Sequence, residues 1–521
     1  MISRLRGHFI FPSHVFSQTP TTCRNLSRGS LLTMSPTDAE EEKFALQQDS
    51  RIDLEALRQS HHRPANSPIF DNAPSRMSLR RPAFTTIAQK FFSYPSPDAL
   101  QIRPTSWLDG VRGVAALGVY LFHAMGLWAA IVPAWRADES QNHFLQLPLI
   151  RTLFVAGGPA VSLFFVLSGY VLTQKSLRWM RKGQKQSVYP AVASSMFRRG
   201  FRLYLPPILL TFCEMIGTRF GFNPPLNFTF VPEKAFSAQF LDWLQETNRL
   251  INPFINAVPA LQGVIKSHPK YDAVVWTIPL EFYGSMVCYT LLVTLAWVPS
   301  SAVRMTLVAM YSVSCMMMGS WNLFCFSAGI LLADFHLGQE DSGANPSPRH
   351  SKPYMALFAA GFYAAGFPSL GKLEARSNPM PGFETLYSLT PNFGMDDPSR
   401  FWWSLSGVSL LLSISQLPRL KRVFESNLCQ YLGKISFALY LVHEFCIILF
   451  GLTMQSIIMR ILGVVPGSGG LTYWIVCLIW FSVFSFLAFG IAGQVQRWVD
   501  EPSVKFAKWL EQRCLKILCR G

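Results

Sequence analysis

Residues 108–131 read LDGVRGVAALGVYLFHAMGLWAAI, an apolar run long enough to cross a bilayer, for which about 20 residues suffice. Three ionisable groups stand within it: Asp109, Arg112 and His123. Charge is costly in hydrocarbon, so ionisable residues inside a span are functional suspects by default. Arg112 and His123 lie eleven residues apart, three helical turns with little angular drift, and project from one face with Ala116 and Val119 between them. At roughly 1.5 Å per residue they are about 16 Å apart along the axis, Arg112 near a membrane surface and His123 near the bilayer centre. That geometry suits a long ligand with an anionic head at the surface and a reactive end deep inside. A plainer account makes Arg112 a snorkelling anchor and His123 an interhelical hydrogen-bonder.

The rest of the chain has the same character. Half of the residues are hydrophobic and 15% are charged, against about 25% charged in a soluble chain. A net charge of +16 raises the question of nucleic acid, but the basic residues fall in short loops between apolar runs, which is the topology signal of a membrane protein. No nucleic-acid partner is expected. The ten cysteines form no CxxC pair and no zinc spacing, so no metal is expected; Cys213, Cys288, Cys315 and Cys325 read as buried thiols. Cys514 and Cys519, in a basic tail, are candidates for palmitoylation.

The expected fold is all-α, a polytopic membrane bundle of about ten transmembrane helices behind a disordered lead-in. Residues 1–95, rich in Ser, Pro, Arg and Thr, form the lead-in; 96–502 form the membrane domain; 503–521 form a basic cytosolic tail. Spans are expected near 108–132, 151–173, 204–220, 274–298, 302–319, 321–337, 353–370, 402–418, 435–458 and 472–494. The loop after the second span carries Lys175, Arg178, Arg181, Lys182, Lys185, Arg198, Arg199 and Arg202 with no acid. Basic residues also follow the eighth span and the last, which puts both termini and Arg112 on the cytosolic side. The acceptor Asn227-Phe228-Thr229 then falls in a luminal loop, as glycosylation requires. The membrane expected is the endoplasmic reticulum or another endomembrane; the Arg-rich, acid-free start, with Arg4, Arg6, Arg24 and Arg28, leaves a mitochondrial transit peptide as the alternative.

Four further stretches carry chemistry. RRGFRLYLPP at 198–207 puts Arg198 and Arg202 on one helical face with Arg199 at its edge, and guanidinium forks at a membrane surface match phosphates, whether of a ligand or of lipid. GGPAVSLFFVLSGY at 157–170 mixes small and aromatic residues, and small residues such as Ser168 and Gly169 let a helix or a slim ligand approach closely. WTIPLEFYGS at 276–285 places Glu281 inside a span, either paired with an arginine or holding a hydroxylated substrate. SFALYLVHE at 436–444 brings His443 to mid-membrane, as a reactive group or as a packed hydrogen-bonder.

Taken in order, these motifs resemble acyltransferase family 3, the polytopic membrane O-acyltransferases that include bacterial acetyltransferases of lipopolysaccharide and Nod factors. SWLDGVRGVAALGVYLFH supplies the Arg-x10-His signature in Arg112 and His123, and SLFFVLSGYVLT matches the second span. Arg199 and Arg202 fit the Arg-x-x-Arg motif, WTIPLEF the Trp-x4-Glu element, LGKISFALYLVH the late Ser-Tyr-x-x-Tyr-Leu-x-His element, and Glu501-Pro502 the closing feature. The likeness covers most of 106–502. Ser162 stands where many bacterial members carry an acid, Phe437 replaces a tyrosine, and Phe282 follows Glu281 in place of a second acid. WTIPLEF resembles the fungal branch, whose members acylate secondary metabolites.

The resemblance implies a reaction. An acyl-CoA co-substrate, acetyl-CoA, would enter from the cytosol with its phosphates held by Arg112, Arg199 and Arg202 and its arm threaded past Ser168 and Gly169. His123 would be the general base that takes the proton from an acceptor hydroxyl, a role neutral imidazole suits at physiological pH. Asp109 would brace Arg112, and Glu281 would orient a small, apolar, hydroxylated acceptor from the luminal half, with His443 also in the catalytic set. A covalent acyl-enzyme on Ser168 has no base placed beside it by sequence spacing, so direct transfer is favoured. The lipid bilayer is the remaining partner. A transporter or exporter of the same fold, and acylation of a glycan, stand as the alternatives.

Overall fold

The computed structural model describes residues 102–518 apart from 130, 132–133, 137–141, 156, 223–229, 265–268, 344–350, 370–379 and 396. The lead-in, the glycosylation acceptor at Asn227 and Cys519 lie outside the described residues. All regular structure among the described residues is helical, with no strand. In chain order the helices are α1 (Ser106–Met125), α2 (Ile150–Phe154), α3 (Gly157–Arg181), α4 (Val188–Gly217), α5 (Phe236–Ile251), α6 (Pro253–Leu261), α7 (Thr277–Leu295), α8 (Ser301–Met317) and α9 (Trp321–Asp341). They continue with α10 (Ser351–Ala365), α11 (Phe383–Ser388), α12 (Ser399–Gln416), α13 (Pro418–Phe424), α14 (Asn427–Cys446), α15 (Leu452–Ile461), α16 (Gly470–Val495) and α17 (Glu501–Leu518).

A helix falls in every one of the ten expected windows. By length and apolar character alone, four continuous helices can cross a membrane: Gly157–Arg181, Ala273–Leu295, Asn427–Ile461 and Gly470–Ile517. Ser301–Met317 is apolar but shorter. These apolar helices suit a membrane protein; among the described residues four meet this criterion. Two of the four are joined by π-helical turns: Ile447–Gly451 links α14 to α15, and Gln496–Asp500 links α16 to α17. Such turns insert an extra residue into the ladder and occur often at functional sites.

Two boundaries differ from the sequence windows in ways that matter. α4 begins at Val188, well before the expected 204, so Arg198, Arg199 and Arg202 ride on a helix rather than in a loop. Its Pro206 and Pro207 stay within the helix, which a packed membrane helix tolerates because neighbours satisfy the freed backbone groups. Of the basic segment after 502, residues through Leu518 form part of α17, which continues the α16 helix and packs on α4, with Arg198 bonded to Glu511 at 3.2 Å and the Phe201 and Phe506 rings 6.1 Å apart. The arginines of the last turn of α3 also find acids on α9, Arg178 pairing with Glu340 at 2.8 Å and Arg181 with Asp334 at 2.6 Å. Of the four cysteines read as buried, Cys213 is exposed and the other three are buried.

Glycine permits a very close crossing of α1 with α14. A Cβ on Gly113 would sit 2.3 Å from the Gly433 nitrogen, and one on Gly433 would sit 2.4 Å from the Asp109 carbonyl oxygen. α1 and α14 therefore meet backbone to backbone, as small residues allow in membrane bundles. On the other side of α1, Tyr120 stacks on Phe484 of α16 with ring centroids 5.9 Å apart. The core is aromatic and continuous from α1 through α14 to α16.

Candidate active site

The close approach of α1 to α14 fixes Arg112. Its Nη2 pairs with Asp109 Oδ1 at 3.0 Å and donates to the Gly433 carbonyl at 3.0 Å, while its Nε donates to Ser436 Oγ at 3.0 Å. Three contacts of this kind hold the guanidinium in one orientation. Asp109 is accordingly the brace of Arg112.

Arg112 lies at the wall of a cavity of about 510 Å³ enclosed by α1, α3, α4, α7, α14 and the α16–α17 helix. Ser168, Arg199, Arg202 and Glu281 line the same space. Glu281 is one turn into α7, and its Oε1 accepts from both Arg199 Nη2 and Ser168 Oγ, the latter at 2.7 Å. Arg199 Nε donates to Ser285 Oγ at 2.9 Å. Both members of the pair are largely buried, with side chains 10% and 15% exposed. A buried ion pair of this kind needs further hydrogen bonds to offset desolvation, and Ser168 and Ser285 supply them. Glu281 is thus paired with an arginine, one of the two arrangements the sequence left open for it. The same geometry puts a carboxylate beside Ser168, which sequence spacing did not reveal, but that carboxylate is already neutralised by Arg199.

Gly169 is placed elsewhere. It lies at the crossing of α3 and α9, where a Cβ would come 2.0 Å from the Phe326 carbonyl oxygen, and it is not part of the cavity wall. Its smallness serves helix packing there.

The far end of the cavity is Tyr440, whose hydroxyl donates to the Val274 carbonyl at 2.7 Å and lies 2.6 Å from Thr277 Oγ1. With its single proton committed to Val274, the tyrosine oxygen accepts from Thr277. Behind it stand the two histidines. The Tyr440 and His443 ring centroids are 6.1 Å apart, and those of His443 and His123 are 4.9 Å apart. Neither histidine belongs to the cavity wall, so Arg112 and His123 share a helix face but do not open onto one continuous space in this conformation. Tyr440 intervenes because α14 runs alongside α1 and sets its own side chains across the gap.

The tautomer of His443 follows from its partners. Nδ1 is 2.7 Å from the Tyr440 carbonyl oxygen, which can only accept, so Nδ1 carries the proton and Nε2 is an acceptor. That Nε2 is buried without a hydrogen-bond partner. His123 is half-buried and makes no hydrogen bond among the described residues. Beyond the pair lie three carboxylates: Glu214 of α4, Asp272 ahead of α7 and Glu444 of α14, each at most 4% exposed. Asp272 Oδ1 caps the turn before α7 by accepting from the Val274 N–H at 2.9 Å. Burial and then the nearby Glu444 carboxylate push the Asp272 carboxyl well above the usual carboxylate range. Among the described residues no group of His, Cys, Asp and Glu is placed to hold a metal ion.

Sequence reasoning missed the wall contributed by the C-terminal helix. Gln496, Asp500, Glu501, Val504, Lys505 and Lys508 all line the cavity, and Lys434 bonds Glu501 at 2.9 Å across its mouth. The available signal was the spacing of Ser503 and Ala507, which are buried, against Lys505 and Lys508, which are exposed: one amphipathic turn after another.

The fold is a helical bundle with a cavity lined by cations, and a histidine pair stands beyond Tyr440 outside its wall. The family model described as an acyltransferase domain, acyltransferase family 3, matches residues 105–490, and the chain belongs to that family as an acyltransferase. It is 30% identical over 488 residues to the O-acetyltransferase PaAT-1 of Phomopsis amygdali, covering 89% of this chain and 94% of that protein. It is also 26% identical to the acyltransferase clz18 of Cochliobolus lunatus and 25% identical to the acyltransferase R4 of a Phoma species, in each case over 67% of this chain and 83% of the relative. All three relatives are fungal, in agreement with the branch read from WTIPLEF. No solved structure matches the chain significantly.

Proposed function

We propose that the protein transfers an acetyl group from acetyl-CoA to the hydroxyl of a small apolar acceptor. The observation that carries this reading is the cavity itself: cations at one end, an aromatic and aliphatic middle of Phe164, Phe165 and Ile278, and the histidine pair just past Tyr440. The nucleotide end of the donor lies at the mouth, which faces the cytosol, against Arg202 and the braced Arg112. The thioester reaches toward Tyr440. Movement of that ring joins the cavity to His123.

His123 then takes the proton of the acceptor hydroxyl as its oxygen attacks the thioester carbonyl. The C–O bond forms, the C–S bond breaks, and the departing thiolate takes the proton from the imidazolium. His443 is a positioning residue, because an N–H of His123 directed at its free Nε2 leaves the other His123 nitrogen as the base. Ser168 donates its proton to Glu281, and that carboxylate is tied to Arg199, so the serine is held as a donor rather than activated as a nucleophile; direct transfer follows. The O-acetyltransferase name of the Phomopsis relative supports acetyl as the group moved.

The test uses purified protein, radiolabelled acetyl-CoA and a hydroxylated, lipid-soluble acceptor. His123→Ala at equal expression is expected to lose about 10² to 10⁴ in turnover, the usual contribution of a general base. Full turnover in that variant would remove the assignment.

A further inference from the structure

The cations around the cavity fall into two sets. Arg112, Arg199, Lys434 and Arg198 each hold a carboxylate of this chain, namely Asp109, Glu281, Glu501 and Glu511. Arg202, Lys505 and Lys508 are exposed to the cavity and make no hydrogen bond or ion pair among the described residues. Asp500 is close enough to act on Arg202 electrostatically, without a hydrogen bond to it. Three charges at one wall are therefore without a fixed partner.

A second cavity of about 180 Å³ adjoins the first and shares Arg199, Arg202, Val504 and Lys508 with it. Arg198 and Ser195 complete its polar lining, and no carboxylate is part of it. Of its four cations Arg198 and Arg199 hold carboxylates that lie outside its lining, while Arg202 and Lys508 have no fixed partner, which makes the space a site for a compact, multiply charged anion. Guanidinium forks and an ammonium suit phosphate oxygens. Lys508, the α17 cation of this pocket, stands beyond residue 490, where the match to the family ends.

Resting on the acyl-CoA reading above, we propose that α17 is the phosphate-binding wall of the donor site, and that the 180 Å³ pocket seats the ribose phosphate monoester of coenzyme A. A monoester carries up to two charges near neutral pH, its second pKa being about 6, whereas each phosphorus of the diphosphate bridge carries one. The more charged group belongs in the pocket with Arg202 and Lys508 and no acid, and the bridge falls to Lys505 at the open rim.

The experiment compares acetyl-CoA with acetyl-dephospho-CoA, which lacks only that monoester, in wild type, Lys508→Ala and Lys508→Arg. Loss of one charge-assisted contact is worth about tenfold. The wild type should show a KM about tenfold or more higher for the dephospho donor; Lys508→Ala should raise the KM for acetyl-CoA by about tenfold, leave that for acetyl-dephospho-CoA and both kcat values unchanged, and be restored by arginine. An unchanged KM, or an equal rise for both donors, overturns the assignment. Repeating the assay in nanodiscs with and without phosphatidic acid separates the two sources of phosphate: a Lys508 effect that appears only with the anionic lipid overturns it in favour of a headgroup. Because Lys508 is exposed, its replacement leaves folding intact. Failure of the wild type to use acetyl-CoA at all would sink the donor reading, whereas normal turnover with a silent Lys508 sinks only the role of α17.

Discussion

Glu281 separates two explanations of the same carboxylate, counter-ion and acceptor contact, and its removal has a calculable consequence. In Glu281→Ala, Arg199 keeps Ser285 Oγ but loses its only carboxylate, and Ser168 loses its acceptor. Breaking one half of a buried pair costs about 3–5 kcal/mol. The side chains are 10% and 15% exposed and border a cavity roomy enough for water, so the lower end, about 3 kcal/mol, is expected. Glu281→Gln keeps an oxygen for both donors and forfeits only the charge, about 1–2 kcal/mol. Replacing both partners by methionine removes the stranded guanidinium, so Arg199→Met with Glu281→Met should cost less than Glu281→Ala alone, a coupling of about 2 kcal/mol. Unfolding titrations with SDS in mixed micelles give these differences, and initial rates at varied donor and acceptor give the second readout. A counter-ion of a donor-wall arginine changes the donor KM. Strict additivity of the two methionine substitutions, or an acceptor KM that rises while the donor KM stands still, would refute the counter-ion role.

The backbone crossing of α1 and α14 yields a second prediction: Gly433→Ala forces a Cβ to within 2.4 Å of the Asp109 carbonyl, costs about 1–3 kcal/mol through overpacking, and raises the donor KM because Arg112 is bonded to the same residue's carbonyl. Wild-type thermal unfolding together with a wild-type KM would show that the crossing is looser than described. Asp272 yields a third. Its carboxyl is raised above the usual range by burial and by Glu444, so the folded chain holds a proton that the unfolded chain releases above about pH 4. Its contribution to stability is full below that pH and falls as the pH rises toward the folded-state value. Asp272→Asn keeps the cap on Val274 and should flatten the decline of thermal stability between pH 5 and 8; a slope equal to that of wild type would contradict the assignment.

Much of the cationic side of the cavity was legible in the residues themselves. The eleven-residue interval put Arg112 and His123 on one face, the i, i+3 interval joined Asp109 to Arg112, and the spacing of Arg198 and Arg202 gave a cationic face that the structure turns toward α17. What periodicity does not report is which helix covers which face. Glu281 and Arg199 are 82 positions apart, and nothing local to either says that they meet. Gly169 shows the same limit from the other side: a small residue permits a close neighbour without naming it, and the neighbour is α9 rather than a ligand. The C-terminal helix was lost for a different reason. A short, charged segment after the last apolar run reads as a tail because hydropathy windows weigh lipid contact, and α17 meets protein instead. Tyr440 was invisible as a barrier, since its position between the cavity and the histidines arises only from the register of α14 against α7.

The three unpartnered cations also bear on what occupies the space between turnovers. A pocket holding Arg202, Lys505 and Lys508 in the absence of substrate recruits small mobile anions from the surrounding solution, and an incoming polyphosphate must evict them. With the donor and acceptor proposed above, raising the ionic strength should oppose loading of the thioester and leave partition of an uncharged acceptor untouched. Salt becomes a dial on one substrate alone.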